Sequence, residues 1–348
     1  MSRVAMLIAP HRIEIREESI PTPSPGAIVV RVRAALTDGT DLKAYRRGHP
    51  QMPMPTRFGH EFSGDVATVG PLDPAAQPHG FAVGDAVMCV HSAPCGACYW
   101  CLHGEEELCE TIMATKILGA YADYIEVPAR ILARNCYAKP KDLSYAEAAF
   151  LEPLACVVHS VEFLGHKPGS TVVVLGDGGF GLLHAQVLRR HGVHALLVGR
   201  RPERLELARS LDLDTIDART ELTLAAILAR TGGRGADAAI ECTGSQEVWQ
   251  QAPSYVRRGG VVSFFGGLPS STNVEFSSSR LHYDEVRLIG PFHFGTKSVG
   301  RAFEMLRDRE IAVAPLITRT FELARISDAF AALDNGEGIK FAMDPSAA

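Results

Sequence analysis

Apolar positions follow one pattern in the first part of the chain and another after about residue 152. Before this point, short runs rich in β-branched residues alternate with glycine and proline. Examples are AIVVRVRAAL (27–36), EFSGDVATVG (61–70) and GDAVMCV (84–90). Runs of this kind are typical of short strands separated by turns. The first 150 residues are therefore predicted to be mostly β structure.

After residue 152, apolar strand patterns alternate with amphipathic helix patterns. LACVVHSVEFLG (154–165) predicts a helix, and TVVVL (171–175) predicts a strand that leads through glycines into another helix. The segment 195–211 repeats the order of strand and helix, and 236–244 and 259–267 are two further buried strands. This alternation is typical of a doubly wound parallel sheet.

The pattern changes again near residue 290. It predicts a helix around 298–309, a strand near Ile317 and a helix near 326–333. We therefore expect an α/β protein in which residues 1–153 and 290–348 form a β-rich domain, interrupted by a dinucleotide-binding domain at 154–289. Within the inserted sheet, the strand at 259–267 is expected at the edge, where it would pair with a second subunit.

Composition and charge narrow the class of protein. The chain has 348 residues, 46% of them hydrophobic, and a net charge of −5, with both signs spread along the sequence. This balance does not favour binding to nucleic acid or to an anionic membrane. Charges at Arg12 and Glu14 come too early for a secretory leader, and no long uncharged apolar run predicts a transmembrane helix. A cytoplasmic protein is expected.

Four cysteines lie within one short segment, spaced C-x2-C-x2-C-x7-C, inside a turn-rich lobe at about 89–112. They are Cys95, Cys98, Cys101 and Cys109. Four thiolates can close a tetrahedral shell around Zn²⁺, which leaves no position for substrate and predicts a structural zinc site. Disulfides, or four unrelated thiols, are the alternatives. The four cysteines outside the lobe are scattered and are expected to be reduced thiols.

A glycine-rich loop follows the strand at 171–175. It reads Gly176-Asp177-Gly178-Gly179-Phe180-Gly181 and opens a helix, which is the context in which G-x-G-x-x-G predicts a dinucleotide site. Gly176 would allow the tight turn, Gly178 the approach of the pyrophosphate, and Gly181 the close packing of helix on strand. A simple turn between strand and helix is the alternative.

The following strand ends at Gly199-Arg200-Arg201 and lacks the acid that usually binds the ribose hydroxyls of NAD. Arg200 and Arg201 stand where a 2′-phosphate would lie, and guanidinium groups suit phosphate. The sequence therefore favours NADP over NAD. A solvated helix start before Pro202 is the alternative reading.

Candidate ligands for a reactive metal stand in three separate segments. They are Asp38, the pair His60-Glu61, and Glu152. Carboxylates and an imidazole can hold zinc with one position left for water or substrate. Each residue alone could instead be a turn residue, a core histidine or a helix cap, and spacing in the sequence does not bring them together.

Taken together, several motifs resemble those of the zinc-dependent medium-chain dehydrogenases/reductases, and the resemblance covers nearly the whole chain. The motifs are GHEFSGDVATVG (59–70), the four-cysteine lobe, EPLACVVHS (152–160), GDGGFG (176–181), IECTG (240–244) and GIKFAMDP (338–345). The resemblance implies a GroES-like catalytic domain with an inserted Rossmann domain. It also implies one catalytic and one structural zinc, and a homodimer or homotetramer.

The same resemblance assigns roles to single residues. His60 and Glu152 would be catalytic zinc ligands, and Glu61 a neighbouring or alternate ligand. Thr40 would pass on the proton of the alcohol, with Lys43 near the end of that relay. Thr243, in the IECTG motif, would bind the cofactor.

One position departs from the family pattern, because Asp38 stands where most members have cysteine. Aspartate can still bind zinc and gives a harder, more Lewis-acidic metal. Loss of the catalytic metal is the alternative.

The implied reaction is reversible hydride transfer between a nicotinamide cofactor and a secondary alcohol or the matching ketone. A polyol or sugar-like substrate is favoured, since Tyr45, Arg46, Arg47, Phe58 and the segment 291–294 are expected to line the pocket. A zinc-free NADPH-dependent reductase and a nucleotide-binding protein without catalysis are the rival readings.

Overall fold

The computed structural model describes residues 1–74 and 79–347, and these form two compact units. The first unit comprises residues 1–155, 294–309 and 313–348, of which residues 75–78 and 348 lie outside the described part. The second comprises residues 156–293 and 310–312. No helix in the described part is both long and apolar enough to cross a membrane.

Short strands dominate the first 150 residues, as the sequence pattern predicts. In chain order, the strands and helices up to the second unit are β1 (Ser2–Ala9), β2 (Arg12–Glu18), β3 (Ile28–Leu36), α1 (Gly39–Arg47), β4 (Thr56–Arg57), β5 (Glu61–Val69), β6 (Ala86–Cys89), α2 (Tyr99–Leu102), β7 (Tyr124–Val127), α3 (Ala129–Leu132), β8 (Cys136–Ala138), α4 (Tyr145–Ala148) and α5 (Leu151–Leu164).

Strands and helices then alternate through the second unit before the chain returns to the first. They are β9 (Thr171–Leu175), α6 (Gly179–Arg190), β10 (His194–Gly199), α7 (Pro202–Ser210), β11 (Asp214–Asp217), α8 (Thr223–Arg230), β12 (Ala236–Glu241), α9 (Gln246–Gln251), β13 (Val256–Phe264), α10 (Ser278–His282) and β14 (Arg287–Ile289). The returning segment adds α11 (Thr296–Arg307), β15 (Ile317–Glu322), α12 (Ile326–Asp334) and β16 (Lys340–Asp344).

The first unit is built on a sheet that joins both ends of the chain. Its strands run in the order β15-β16-β3-β5-β6-β8, with β7 also paired to β3, and a smaller sheet has the order β2-β1-β4. Aromatic side chains fill the core, and Phe58, Phe62, Tyr121, Phe330 and Phe341 have no exposed surface. The C-terminal strand β16 thus lies beside β3, far from it in sequence.

The second unit is a six-stranded parallel sheet in the order β11-β10-β9-β12-β13-β14. Its strands carry continuous apolar runs because helices cover such sheets on both faces. The prediction that the strand at 259–267 forms the edge is wrong. Val261–Ser263 of β13 pair with Arg287–Ile289, so the short strand β14 covers that side.

Candidate functional site

The side chains of the candidate active site come from strand ends that the sheet brings together. β3 ends at Leu36, which lies opposite Glu61 of β5 on one side and opposite Ala342 of β16 on the other. Asp38 follows directly and is the N-cap of α1, where its Oδ1 accepts a hydrogen bond from Thr40 N at 3.0 Å. The first turn of this helix therefore stands above the end of the sheet.

His60 lies between two carboxylates in the buried interior. Its Nε2 is 3.2 Å from Asp38 Oδ2, and its Nδ1 is 3.1 Å from Asp41 Oδ1. Burial would lower the pKa of His60, but the charge of Asp41 and the hydrogen bonds to both aspartates raise it well above its ordinary value. Burial would likewise raise the pKa of Asp38, but His60 holds it below the ordinary value.

Asp41 is a site residue that the sequence analysis missed. It is completely buried, and its Oδ2 accepts a hydrogen bond of 2.5 Å from the Tyr121 hydroxyl. A carboxylate at Nδ1 fixes the histidine tautomer that leaves Nε2 as a metal donor. A signal was available, since Asp41 follows Asp38 by three residues and stands in the first turn of α1, which Asp38 caps.

Glu61 is held by a buried lysine from the last strand. Lys340 Nζ lies 2.7 and 2.6 Å from the two oxygens of Glu61 and also donates to Thr37 O at 2.7 Å. Burial would lower the pKa of Lys340, but the charge of Glu61 raises it. Both oxygens of Glu61 are thus engaged by an ammonium group, so this residue is a weaker candidate ligand than Asp38 or His60.

Glu152 enters the same buried region from the first turn of α5. Its Oε1 is 3.3 Å from His91 Nδ1, and the rings of His91 and His60 have centroids 4.9 Å apart. His91 also packs edge-on against Phe294 at 5.9 Å. His91 is a site residue that the sequence pattern does not reveal, because only the fold brings it from the end of β6 to Glu152 and His60.

The donor set fits zinc in both its chemistry and its spacing. Ligand atoms of Asp38, His60 and Glu61 all lie within 4.8 Å of one another. Nitrogen and oxygen donors on a tetrahedral zinc stand about 3.3 Å apart for bonds of about 2.0–2.1 Å. The 3.2 Å between Asp38 and His60 matches this edge.

The four cysteines of the lobe also converge, with all four sulfurs within 4.8 Å of one another. Cys95 and Cys101 are 3.9 Å apart, and Cys98 and Cys101 are 3.5 Å apart, close to the tetrahedral edge of about 3.8 Å for Zn–S bonds of about 2.3 Å. The thiols differ in how readily they ionise. Burial would raise the pKa of Cys109, but the backbone N–H groups of Cys95 and Thr111 lower it to about 6, whereas burial raises the pKa of Cys101 to about 12.

In the glycine loop, the three glycines have different surroundings. Gly176 has φ +118°, a conformation that favours glycine. A Cβ at Gly181 would stand 1.8 Å from Gly176 O, whereas one at Gly178 would meet nothing within 4 Å. The helix therefore packs directly on the turn, while the Gly178 backbone faces open space. Gly179 and Phe180 begin α6.

Beside this loop, Asp177 organises the end of β10. Its Oδ2 accepts hydrogen bonds from Arg200 N at 2.7 Å and Arg201 N at 2.8 Å, and its Oδ1 is 3.6 Å from Arg204. Gly199 is necessary here, since a Cβ would lie 2.5 Å from the Asp177 carboxylate. The side chains of Arg200 and Arg201 are exposed.

Thr243 follows β12 and approaches the same turn. Its N–H donates to Glu241 Oε1 at 2.6 Å, and its hydroxyl donates to the same carboxylate. A Cβ at Gly176 would be 3.0 Å from the Thr243 methyl group.

The expected substrate pocket needs a correction. Phe58 has no exposed surface and packs against Tyr121 and Phe330. Tyr45 is 7% exposed and also packs on Phe330, while Arg46 forms an ion pair with Asp334. Tyr45 and Arg46 join α1 to α12, and Phe58 packs beside them on Phe330. These aromatic side chains therefore belong to the core, because burying their large apolar area is favourable even where they carry a polar group.

Fold and site together define a metal-dependent enzyme with a nucleotide-binding domain, and comparison with known proteins agrees. The family described as alcohol dehydrogenase GroES-like domain matches residues 24–140, and that described as zinc-binding dehydrogenase matches residues 179–308. The chain belongs to the zinc-dependent medium-chain dehydrogenase/reductase family. It is an alcohol or polyol dehydrogenase that uses zinc and a nicotinamide cofactor.

Three similar proteins illustrate the range of the family. A sorbitol dehydrogenase of Halalkalibacterium halodurans is 27% identical over 339 residues, 95% of each chain. An L-threonine 3-dehydrogenase of Pyrococcus abyssi is 30% identical over 272 residues, 76% of this chain and 75% of its own. A zinc-binding dehydrogenase of Sinorhizobium meliloti, solved bound to NADP, has a TM-score of 0.88 and 29% identity, and 99% of each chain is covered.

Proposed function

We propose that this enzyme transfers a hydride between NADP and a secondary hydroxyl of a polyol or sugar-like substrate. The observation that carries the proposal is the buried group of Asp38, His60 and Glu61, with Glu152 close by, in the unit that matches the GroES-like family. The likeness to a sorbitol dehydrogenase over 95% of both chains supports a substrate with several hydroxyls.

Asp38, His60 and Glu152 are the proposed ligands of the catalytic zinc, and Glu61 is an alternate ligand. A zinc ion in such a site supplies Lewis acidity, which lowers the pKa of an alcohol hydroxyl. Asp41 keeps the His60 proton on Nδ1, so Nε2 stays directed at Asp38. Lys340 pairs with Glu61, so Asp38, His60 and Glu152 would hold the zinc.

Thr40 and Lys43 are the proposed proton path. They are three residues apart in α1 and so share one helix face. The Thr40 hydroxyl accepts the proton of the substrate alcohol and passes it along the helix surface towards Lys43. The cofactor itself supplies the hydride acceptor, so the protein contributes position and proton transfer.

NADP is the proposed cofactor because Arg200 and Arg201, directly after β10, are exposed and carry guanidinium groups that suit a phosphate. The loop of Gly176, Gly178, Gly179, Phe180 and Gly181 would hold the pyrophosphate at the N-terminus of α6, with Thr243 beside it. Asp177 is the group that opposes NADP, since its carboxylate already occupies the backbone N–H groups of Arg200 and Arg201.

The proposal is tested by turnover of a substrate panel with NADP and with NAD. The panel contains sorbitol, erythritol and L-threonine, with 2-propanol as a simple secondary alcohol. His60→Ala should lower kcat by at least a thousandfold while leaving NADP binding intact, and the exposed His282→Ala is the matched control. Full activity in His60→Ala would refute the role of His60.

L-Threonine is the second candidate substrate, because a threonine dehydrogenase shares 30% identity with this chain. It is an amino acid with a secondary hydroxyl, so the same panel separates it from a polyol. If NADP binds but the zinc-loaded protein turns over nothing on the panel, the result would favour a nucleotide-binding protein without catalysis over a dehydrogenase. Ketone or enone reduction that persists in His60→Ala would favour the zinc-free reductase.

Two zinc ions per chain are proposed, one at each site. Elemental analysis of protein purified without chelator should give two, and Cys101→Ser should lose one without affecting the other.

The proposed domains are residues 1–153 with 290–348, and residues 154–289. A homodimer or homotetramer is proposed on the family resemblance, and a monomeric mass by light scattering would contradict it. A cytoplasmic location stays a prediction.

A further inference from the structure

Two cysteines that no proposed site uses meet on neighbouring strands. Cys89 is the last residue of β6 and Cys136 the first of β8, and the two lie directly opposite each other in the antiparallel register. Their Sγ atoms are 2.7 Å apart. Neither belongs to the groups of possible metal ligands found in the described part of the chain.

The backbone hydrogen bonds show which kind of pair this is. Val90 N donates to Asn135 O at 3.2 Å, and Lys139 N donates to Ala86 O at 2.8 Å. In an antiparallel ladder hydrogen-bonded pairs alternate with non-hydrogen-bonded pairs, so Cys89 and Cys136 form a non-hydrogen-bonded pair. Side chains approach most closely in such pairs, within the range of separations that a disulfide requires.

We propose that Cys89 and Cys136 are a reversible oxidation site that forms a disulfide between β6 and β8. The crosslink would enclose residues 90–135, 46 residues that include the whole four-cysteine lobe. It would therefore hold the base of the lobe to the sheet even when the lobe loses its metal. This site is independent of the proposed catalytic function.

The reaction is thiol–disulfide exchange with a low-molecular-weight disulfide. The Cys136 thiolate attacks one sulfur of the reagent, whose S–S bond breaks and releases one thiol. Cys89 then attacks Cys136 Sγ and releases the second thiol. The two protein thiols lose two electrons and two protons, and the reagent disulfide gains both.

Reactivity at this site should be slow at neutral pH. Burial and the hydrogen bond to Cys89 raise the pKa of the Cys136 thiol well above its ordinary value. Because the thiolate is the attacking species, the exchange should become faster as the pH rises. The pair is thus oxidised slowly at neutral pH, and the disulfide accumulates only when the oxidising environment persists.

The test uses the full zinc-loaded protein in glutathione buffers of graded composition. After acid quenching and alkylation, peptide mass spectrometry should find the Cys89 and Cys136 peptides crosslinked, with two hydrogens lost. Cys156→Ser, which changes a cysteine outside the pair, should crosslink as the unchanged protein does. Cys136→Ser should form no crosslink.

Stability gives a second, independent measure. The oxidised protein should melt on the order of 5 °C higher than the reduced protein, because the crosslink restricts the unfolded chain. The Cys89→Ser/Cys136→Ser variant should melt at one temperature in both buffers. If both cysteines stay fully alkylated in pure glutathione disulfide, or if the crosslinked protein melts no higher than the reduced one, the proposal is overturned.

Discussion

His60 has each ring nitrogen facing a carboxylate, and the two carboxylates have different tasks. Asp38 is buried but 7% exposed, whereas Asp41 is completely buried and bound to Tyr121. Asp38 and His60 Nε2 would hold the zinc, and the contact of His60 Nδ1 with Asp41 would remain. Asp41 is therefore a positioning residue for the metal ligand.

Asp41→Asn should lower the affinity for the catalytic zinc about 10–100-fold, because the amide is a poorer acceptor for the His60 proton. Zinc titration against a chromophoric chelator measures this directly, without any assay of turnover. Tyr121→Phe is the matched control, since it removes the other hydrogen bond to Asp41 and should have a smaller effect. Unchanged zinc affinity in Asp41→Asn would argue that His60 is oriented by packing alone.

Asp177 should set the balance between the two nicotinamide cofactors. Asp177→Asn keeps an acceptor for the N–H groups of Arg200 and Arg201 but removes the negative charge. The preference for NADP over NAD should rise roughly tenfold, since about 1.4 kcal/mol is a modest value for one buried charge that Arg204 already offsets. The ratio of kcat/KM for the two cofactors is the measurement. A ratio that stays constant would mean that the phosphate does not lie near Asp177.

At the scale of elements, the glycines in the turn from β9 into α6 contribute to different properties, one to stability and another to ligand binding. A methyl group at Gly181 would collide with Gly176 O, whereas at Gly178 it would enter open space. Two glycines in the same motif therefore have different functions. One lets the helix pack on the strand, and the other leaves room for a ligand.

Gly181→Ala should destabilise the second unit by about 2 kcal/mol or more, because overpacking against backbone is not easily relaxed. Gly178→Ala should leave the melting temperature unchanged but weaken NADP binding at least tenfold. Differential scanning calorimetry and titration calorimetry on both variants provide the comparison. Equal loss of stability in the two variants would mean that the loop is rebuilt as a whole.

Periodicity predicted the regular elements of the second unit well. β9 has the predicted bounds and α6 follows the glycines as predicted, because a buried parallel strand has a continuous apolar run and glycines mark its end. The place of β13 in the sheet could not be predicted, since β14 is only three residues long and has no distinct pattern. Asp38, His60 and Glu152 could be selected from the sequence as candidate metal ligands by the chemistry of their side chains. Their proximity to one another could not be predicted, because it depends on the order of the strands.

At the scale of the whole molecule, the catalytic unit is made from both ends of the chain. β16 lies beside β3, with Ala342 opposite Leu36, after the chain has passed through the second unit. Where β16 joins this sheet, Lys340 and Glu61 form a buried ion pair, and their side chains are 6% and 0% exposed. The same ion pair therefore links the fold of the unit to the site.

Lys340→Met should be among the most destabilising single changes in this unit. It leaves the carboxylate of Glu61 buried without its cation, which costs about 3–5 kcal/mol and should lower the calorimetric melting temperature by about 10 °C. Glu61→Gln added to Lys340→Met removes that charge and should recover most of the loss. Lys141→Met, at an exposed lysine, should change stability by less than about 0.5 kcal/mol.

The pair of variants distinguishes two uses of the lysine. If Lys340 mainly neutralises Glu61, the double variant is more stable than Lys340→Met and still binds the catalytic zinc, since Asp38, His60 and Glu152 remain. If Lys340 mainly ties β16 to the Thr37 carbonyl, the double variant melts as low as the single one, because that hydrogen bond is lost in both. In the first case the closure of the sheet survives without the ion pair. In the second, the C-terminal strand depends on the lysine itself.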